Sequence, residues 1–136
     1  MKKSLPILDT NILVRFLVED VVTQVKLIEE LFKDADKDSL VIPDLVFAET
    51  VWVLQSFYKK EKIEVIEKMK ILAEYEKFKL NRKLIKETLD IYSRENISFV
   101  DAYLCALVLV KENEFIYSFD QRLKKIAGVK IKEPGL

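Results

Sequence analysis

Apolar residues in this chain fall into short unbroken runs and into longer stretches with helical spacing. Leu5 to Leu8 and Ser39 to Ile42 are runs of the first kind, and each predicts a short buried strand. Helical spacing follows both. After the first run, Ile12, Leu13, Phe16 and Leu17 share one face, and Val25, Ile28, Phe32 and Ala35 share another beyond Asp20. After the second, Pro43 closes the strand and Asp44 is placed to cap a helix running to about Tyr58. Leu45, Ala48, Trp52 and either Leu54 or Gln55 lie on its faces, and Trp52 reads more readily as core than as interface. Ile63, Ile66 and Met69 predict a further helix, and Leu84, Ile85, Leu89 and Tyr92 predict one over Asn81 to Arg94. Ser98 opens an apolar helix that ends at Lys111. Phe115 to Tyr117 predicts a third strand, Gln121 to Ala127 a short helix, and Val129 to Ile131 a last strand.

Short apolar strands alternating with helices predict an α/β fold with a parallel sheet covered on both faces. With no repeat, low-complexity stretch or Gly/Pro/Ser linker, residues 1–136 are expected to form a single domain. In such sheets the functional crevice lies beyond the carboxyl ends of the strands.

Composition narrows the chemistry. The chain contains no histidine and a single cysteine, Cys105. Ser-His-Asp and Cys-His catalysis, HExxH metal sites and cysteine-based zinc sites are therefore excluded. Hard oxygen donors remain, and they suit magnesium or manganese. Lys+Arg and Asp+Glu are equal at 23 each, so net charge does not argue for nucleic acid. Between Gln121 and Lys132, however, Arg122, Lys124, Lys125, Lys130 and Lys132 stand without an acid. That run reads either as a patch for phosphates or as a solvated face. Lys59, Lys60 and Lys62 are a weaker candidate border for an RNA groove, diluted by Glu61 and Glu64. The longest apolar run, Ala102 to Val110, is about half of what a bilayer span requires. The MKKSLPILDT start lacks the apolar stretch of a signal peptide, so a cytoplasmic protein without a membrane segment is expected.

Four acids fall where the crevice rule points. Asp9 follows the first strand run, and Asp120 follows the third after Ser118 and Phe119. Glu49 lies early in the helix after the second run, and Asp101 in the first turn of the helix that Ser98 opens. Each also has a plain structural reading. Asp9 or Asn11 can cap the following helix, Ser98 and Asp101 match a capping box, Glu49 can be a solvated helix residue, and Asp120 can cap the next helix. Converging carboxylates would repel, and a divalent cation removes that repulsion. Such a cation lowers the pKa of bound water and stabilises a leaving oxygen, which suits phosphodiester hydrolysis without histidine.

At these residues the chain resembles the PIN-domain family, especially its short toxin-type ribonucleases of VapC kind. The segments ILDTNILVRFLVED (Ile7 to Asp20), VFAETVWVL (Val46 to Leu54), SFVDAYLCAL (Ser98 to Leu107) and YSFDQRLKK (Tyr117 to Lys125) stand in family order. The resemblance implies a three-layer α/β/α sandwich with a central parallel sheet. It further implies RNA cleavage dependent on Mg²⁺ or Mn²⁺, with Asp9, Glu49, Asp101 and Asp120 as catalytic metal ligands. Asn11 and Ser118 match polar positions that support those acids. Arg122, Lys124 and Lys125 are carried as RNA-binding candidates. A homodimer and an antitoxin partner are implied as well, since such toxins pair with an inhibitor. Where relatives often have another acid after the fourth, this chain has Gln121, Arg122 and Leu123. Two other readings compete. One is a catalytically silent PIN-like binding module. The other is a haloacid-dehalogenase-like phosphotransferase with Asp9 as nucleophile, although Asn11 stands where that family has Asp.

Overall fold

The computed structural model describes residues 4–135. Met1 to Lys3, part of the leader and domain readings, and Leu136 lie outside the described residues. The chain divides into two compact units, Met1–Asn81 and Arg82–Leu136.

The first unit contains helices α1 (Thr10–Val18), α2 (Val22–Asp34), α3 (Asp44–Ser56) and α4 (Lys62–Glu74), with strands β1 (Leu40–Val41) and β2 (Phe78–Lys79). Strand β1 pairs with β2 in parallel, and Ile7 forms a single parallel bridge to Val41. The strand expected over Leu5 to Leu8 therefore shrinks to that bridge. Its backbone is still committed, because Val41 donates to the Pro6 carbonyl at 2.9 Å and Leu8 donates to Val41 at 2.9 Å. Strand β2 was not legible. Phe78 sits between Lys77 and Lys79, and only its burial beside exposed Lys79 reveals the strand alternation.

Helices α1 and α2 bury the stripes their spacing predicts: Leu13, Val14 and Leu17 on one, Val25, Ile28 and Phe32 on the other. Helix α3 corrects the expectation. Phe47, Thr50, Val51 and Leu54 form its buried face, whereas Leu45 is 82% exposed and Trp52 64% exposed. Successive helical residues are rotated by about 100°, so Trp52 turns away from the face that Val51 buries. Asp44 is the first residue of α3, and Pro43 occupies the cap without a side-chain hydrogen bond. In that first turn the Asp44 charge still complements the helix dipole.

The second unit contains α5 (Arg82–Arg94), α6 (Phe99–Leu109), β3 (Ile116–Tyr117) and β4 (Ile131–Lys132), with β3 parallel to β4. Leu84, Ile85, Leu89 and Tyr92 are all buried on α5, as their spacing predicts. The helix expected over Gln121 to Ala127 is a single 3₁₀ turn, Leu123–Lys125. So short a helix gains too few hydrogen bonds to offset its nucleation cost. The last strand sits slightly later than expected, at Ile131–Lys132. Between them Gly128 has φ +82°, a left-handed conformation that favours glycine, and a Cβ there would have to displace the Leu109 Cδ2 methyl, 2.9 Å away.

Strand pairing is thus parallel throughout the named strands, and the fold is α/β, rich in helix. No helix among the described residues is long and apolar enough to cross a membrane.

Candidate active site

In the first unit, Asp9 caps α1: its Oδ1 accepts the Ile12 N–H at 3.0 Å. The capping reading of Asp9 is therefore correct, and it fixes where the carboxylate sits. Thr10, the first residue of α1, donates its hydroxyl to Glu49 Oε1 on α3, a residue 39 positions away. Sequence reasoning passed over Thr10, because a helix-start threonine ordinarily serves its own backbone. Asp9, Asn11 and Glu49 line an open cleft of about 580 Å³. The α1 side presents Asn11, Val14 and Arg15, spaced to share a helix face, and the α3 side presents Val46, Glu49 and Val53 in the same way.

Beyond the acids the cleft is walled by Arg15, Phe57 and Tyr58. Arg15 Nη1 donates to both Asp20 oxygens at 3.1 Å and to the Tyr58 hydroxyl at 3.2 Å, while Nε donates to Gln24 Oε1 at 3.0 Å. The Tyr58 hydroxyl donates to Asp20 Oδ2 at 3.1 Å. Burial pushes the Asp20 carboxyl up, but the Tyr58 hydrogen bond and the Arg15 charge outweigh it and hold it below the usual carboxylate range. These residues also escaped the sequence reading. The aromatic pair Phe57–Tyr58 directly after a helix was the available signal.

In the second unit, the Ser98 hydroxyl accepts the Asp101 N–H at 3.1 Å and caps α6. Ser118 Oγ accepts the Asp120 backbone N–H at 2.9 Å. Asp120 Oδ1 takes the Arg122 N–H at 2.8 Å and Nε at 3.3 Å, and Oδ2 takes Nη2 at 3.0 Å. These hydrogen bonds hold the Asp120 carboxyl below its ordinary range, and the Asp101 charge also reaches Arg122. Arg122→Ala is expected to raise the pH at which Asp120 titrates, back toward ordinary carboxylates, as read by carboxyl-carbon NMR. An unmoved titration would show that the guanidinium does not hold that charge. Burial, with Asp101 and Glu95 adding to it, pushes the Cys105 thiol up to about 11, so it is no nucleophile at neutral pH.

The basic run looks less positive than its sequence. Arg122 is paired with Asp120 and Lys124 with Glu133, both acids lying just outside the run. Lys132 lies over the Phe115 ring at 4.4 Å. Lys125 is exposed. On α4, Glu64 pairs with Lys60 at 3.4 Å and lies 3.9 Å from Lys68, as its dilution of that charge suggested.

Each unit thus carries two of the expected acids, Asp9 with Glu49 and Asp101 with Asp120. Within neither unit do three His, Cys, Asp or Glu side chains gather into a metal-ligand group among the described residues. The donor chemistry nevertheless fits a hard divalent cation. In the cleft, one oxygen of Asp9 and one of Glu49 are held by hydrogen bonds. Among the described residues, their other oxygens accept none.

Comparison with known proteins adds to this geometry. The family model of the PIN domain matches residues 7–129. The VapC ribonuclease of Aquifex aeolicus (strain VF5) is 30% identical over 131 residues, covering 94% of this chain and 96% of that protein.

Proposed function

The chain belongs to the PIN-domain family, and on that premise we propose that it is a metal-dependent ribonuclease, the toxin of a toxin–antitoxin pair. The observation that carries this is the cleft of the first unit. There Asp9 and Glu49, far apart in sequence, present carboxylates to one concavity with Thr10 orienting the second. Asp9 and Glu49 of the first unit and Asp101 and Asp120 of the second are the acids proposed as ligands of Mg²⁺ or Mn²⁺. A bound cation of this kind supplies an acidified water and neutralises charge on the phosphodiester oxygens. The protein's part is positional. Capping of α1 holds Asp9, the Thr10 hydroxyl holds Glu49, Ser98 anchors the helix turn that carries Asp101, and Ser118 shapes the turn before Asp120.

In this proposal the two units form one PIN domain over residues 1–136, folded as a three-layer α/β/α sandwich around a central parallel sheet. The family match running from residue 7 to 129 supports that reading, because it crosses both units. The protein acts in the cytoplasm on RNA, as a homodimer held in check by an antitoxin. Arg122, Lys124 and Lys125, all exposed, border the RNA, and Lys125 is the one of them outside the ion pairs with Asp120 and Glu133. The PIN match and Asn11 both support this reading over covalent chemistry at Asp9 of haloacid-dehalogenase type.

Incubation with a mixed RNA panel tests the reaction. Cutting is expected with Mg²⁺ or Mn²⁺ and is expected to fall to background in EDTA. Folded, metal-supplied protein that cuts nothing in the panel would favour a silent binding module.

A further inference from the structure

Arg15, Phe57 and Tyr58 line the same cleft as Asp9 and Glu49 but bring no carboxylate to it. Arg15 lies four residues after Asn11 on α1, one helical turn or about 6 Å along the axis. It is the only Lys or Arg among the residues that line the cleft. Gln24, Asp20 and Tyr58 clamp its Nε and Nη1, whereas its Nη2 makes no hydrogen bond among the described residues. A guanidinium held on one side with a free amino group on the other is preorganised for an anion. Phe57 has the complementary character. Its ring packs edge-on against Tyr58 at 5.0 Å and 72°, and yet the residue is 74% exposed. It is an exposed ring among the residues that line the cleft, while Phe32, Phe47 and Phe78 are buried.

A phosphate-binding cation beside an open aromatic face is how proteins take hold of an unpaired nucleotide. Resting on the ribonuclease reading above, we propose that this arm of the cleft is a subsite for one unpaired nucleotide next to the bond that is cut. Arg15 Nη2 meets its phosphate and Phe57 stacks on its base. Asp20, Tyr58 and Gln24 are positioning residues that act through Arg15. The substrate is then single-stranded at that position, because a paired base has no face free to stack.

The test uses the full chain and a single-stranded RNA carrying 2-aminopurine, whose fluorescence falls on stacking. Phe57→Leu keeps an apolar side chain at an exposed position, and Phe57→Trp restores a ring. Wild type and Phe57→Trp are expected to quench the probe, and Phe57→Leu is not. In cleavage the Phe57→Leu loss falls on KM, by about tenfold. Arg15→Gln weakens binding of the same strand and lowers its salt dependence. Equal quenching and equal KM in folded Phe57→Leu would overturn the subsite, even with cleavage intact. If wild type cuts no RNA, the reaction proposed above falls, and the quenching comparison alone still decides the subsite.

Discussion

Asp101→Asn is expected to lower RNA cleavage by about 100-fold or more while leaving the fold in place, the scale for removing one charged transition-state group. The fold is spared because the structural work at this position is done by the backbone. The Asp101 N–H donates to Ser98 Oγ, and an asparagine retains that N–H and the side-chain shape. The stability change is accordingly under about 0.5 kcal/mol, as at sites without a buried or capping role. Ser98→Ala makes the informative contrast. It removes the cap of α6, costs about 1 kcal/mol and keeps the Asp101 carboxylate itself. Asp101→Asn should therefore lose cleavage with little change in thermal denaturation, and Ser98→Ala should lose thermal stability with much the smaller loss of cleavage. Wild-type cleavage by Asp101→Asn would remove Asp101 from the site.

Phe32→Ala should produce the largest loss of stability, about 3–5 kcal/mol by denaturant titration. Phe32 is 2% exposed on α2. Its ring meets Phe16 of α1 and Phe78 of β2 edge to face, each with centroids 5.0 Å apart, and Tyr75 at 6.0 Å. Truncation would open a cavity bordered by three elements and break aromatic contacts worth about 0.5–1.5 kcal/mol apiece beyond burial. Natural domains are stable by only about 5–15 kcal/mol, so much of the margin would go. A loss below about 1 kcal/mol would mean that the ring cluster does not organise the first unit.

Phe32 was legible as a core residue from spacing alone, and so were Val25, Ile28, Leu84, Ile85 and Leu89. Phe78 is just as buried, but it stands in a two-residue strand among charges, where no periodicity can develop. Trp52 shows the opposite failure. Its size argued for burial, yet the rotation of α3 set by Phe47, Val51 and Leu54 leaves it in solvent. The site divides in the same way. Asp9 and Asp101 could be placed at helix starts from their neighbours, and the order of the acids resembled a family to which the chain belongs. Nothing in the sequence announced that Arg122 grips Asp120 or that Glu133 takes Lys124.

The sequence by itself determined the six α-helices of the described residues, the cap at Ser98 with Asp9 or Asn11 for α1, and an inventory of hard oxygen donors without histidine. Those features depend on residues within about one helical turn of each other, where spacing and side-chain chemistry suffice. Only the tertiary structure brought Thr10 to Glu49 across 39 positions, joined Arg15 to Tyr58, and left Phe57 open beside the cleft. Such contacts exist only after distant segments have closed on each other, and many local sequences are compatible with the same closure.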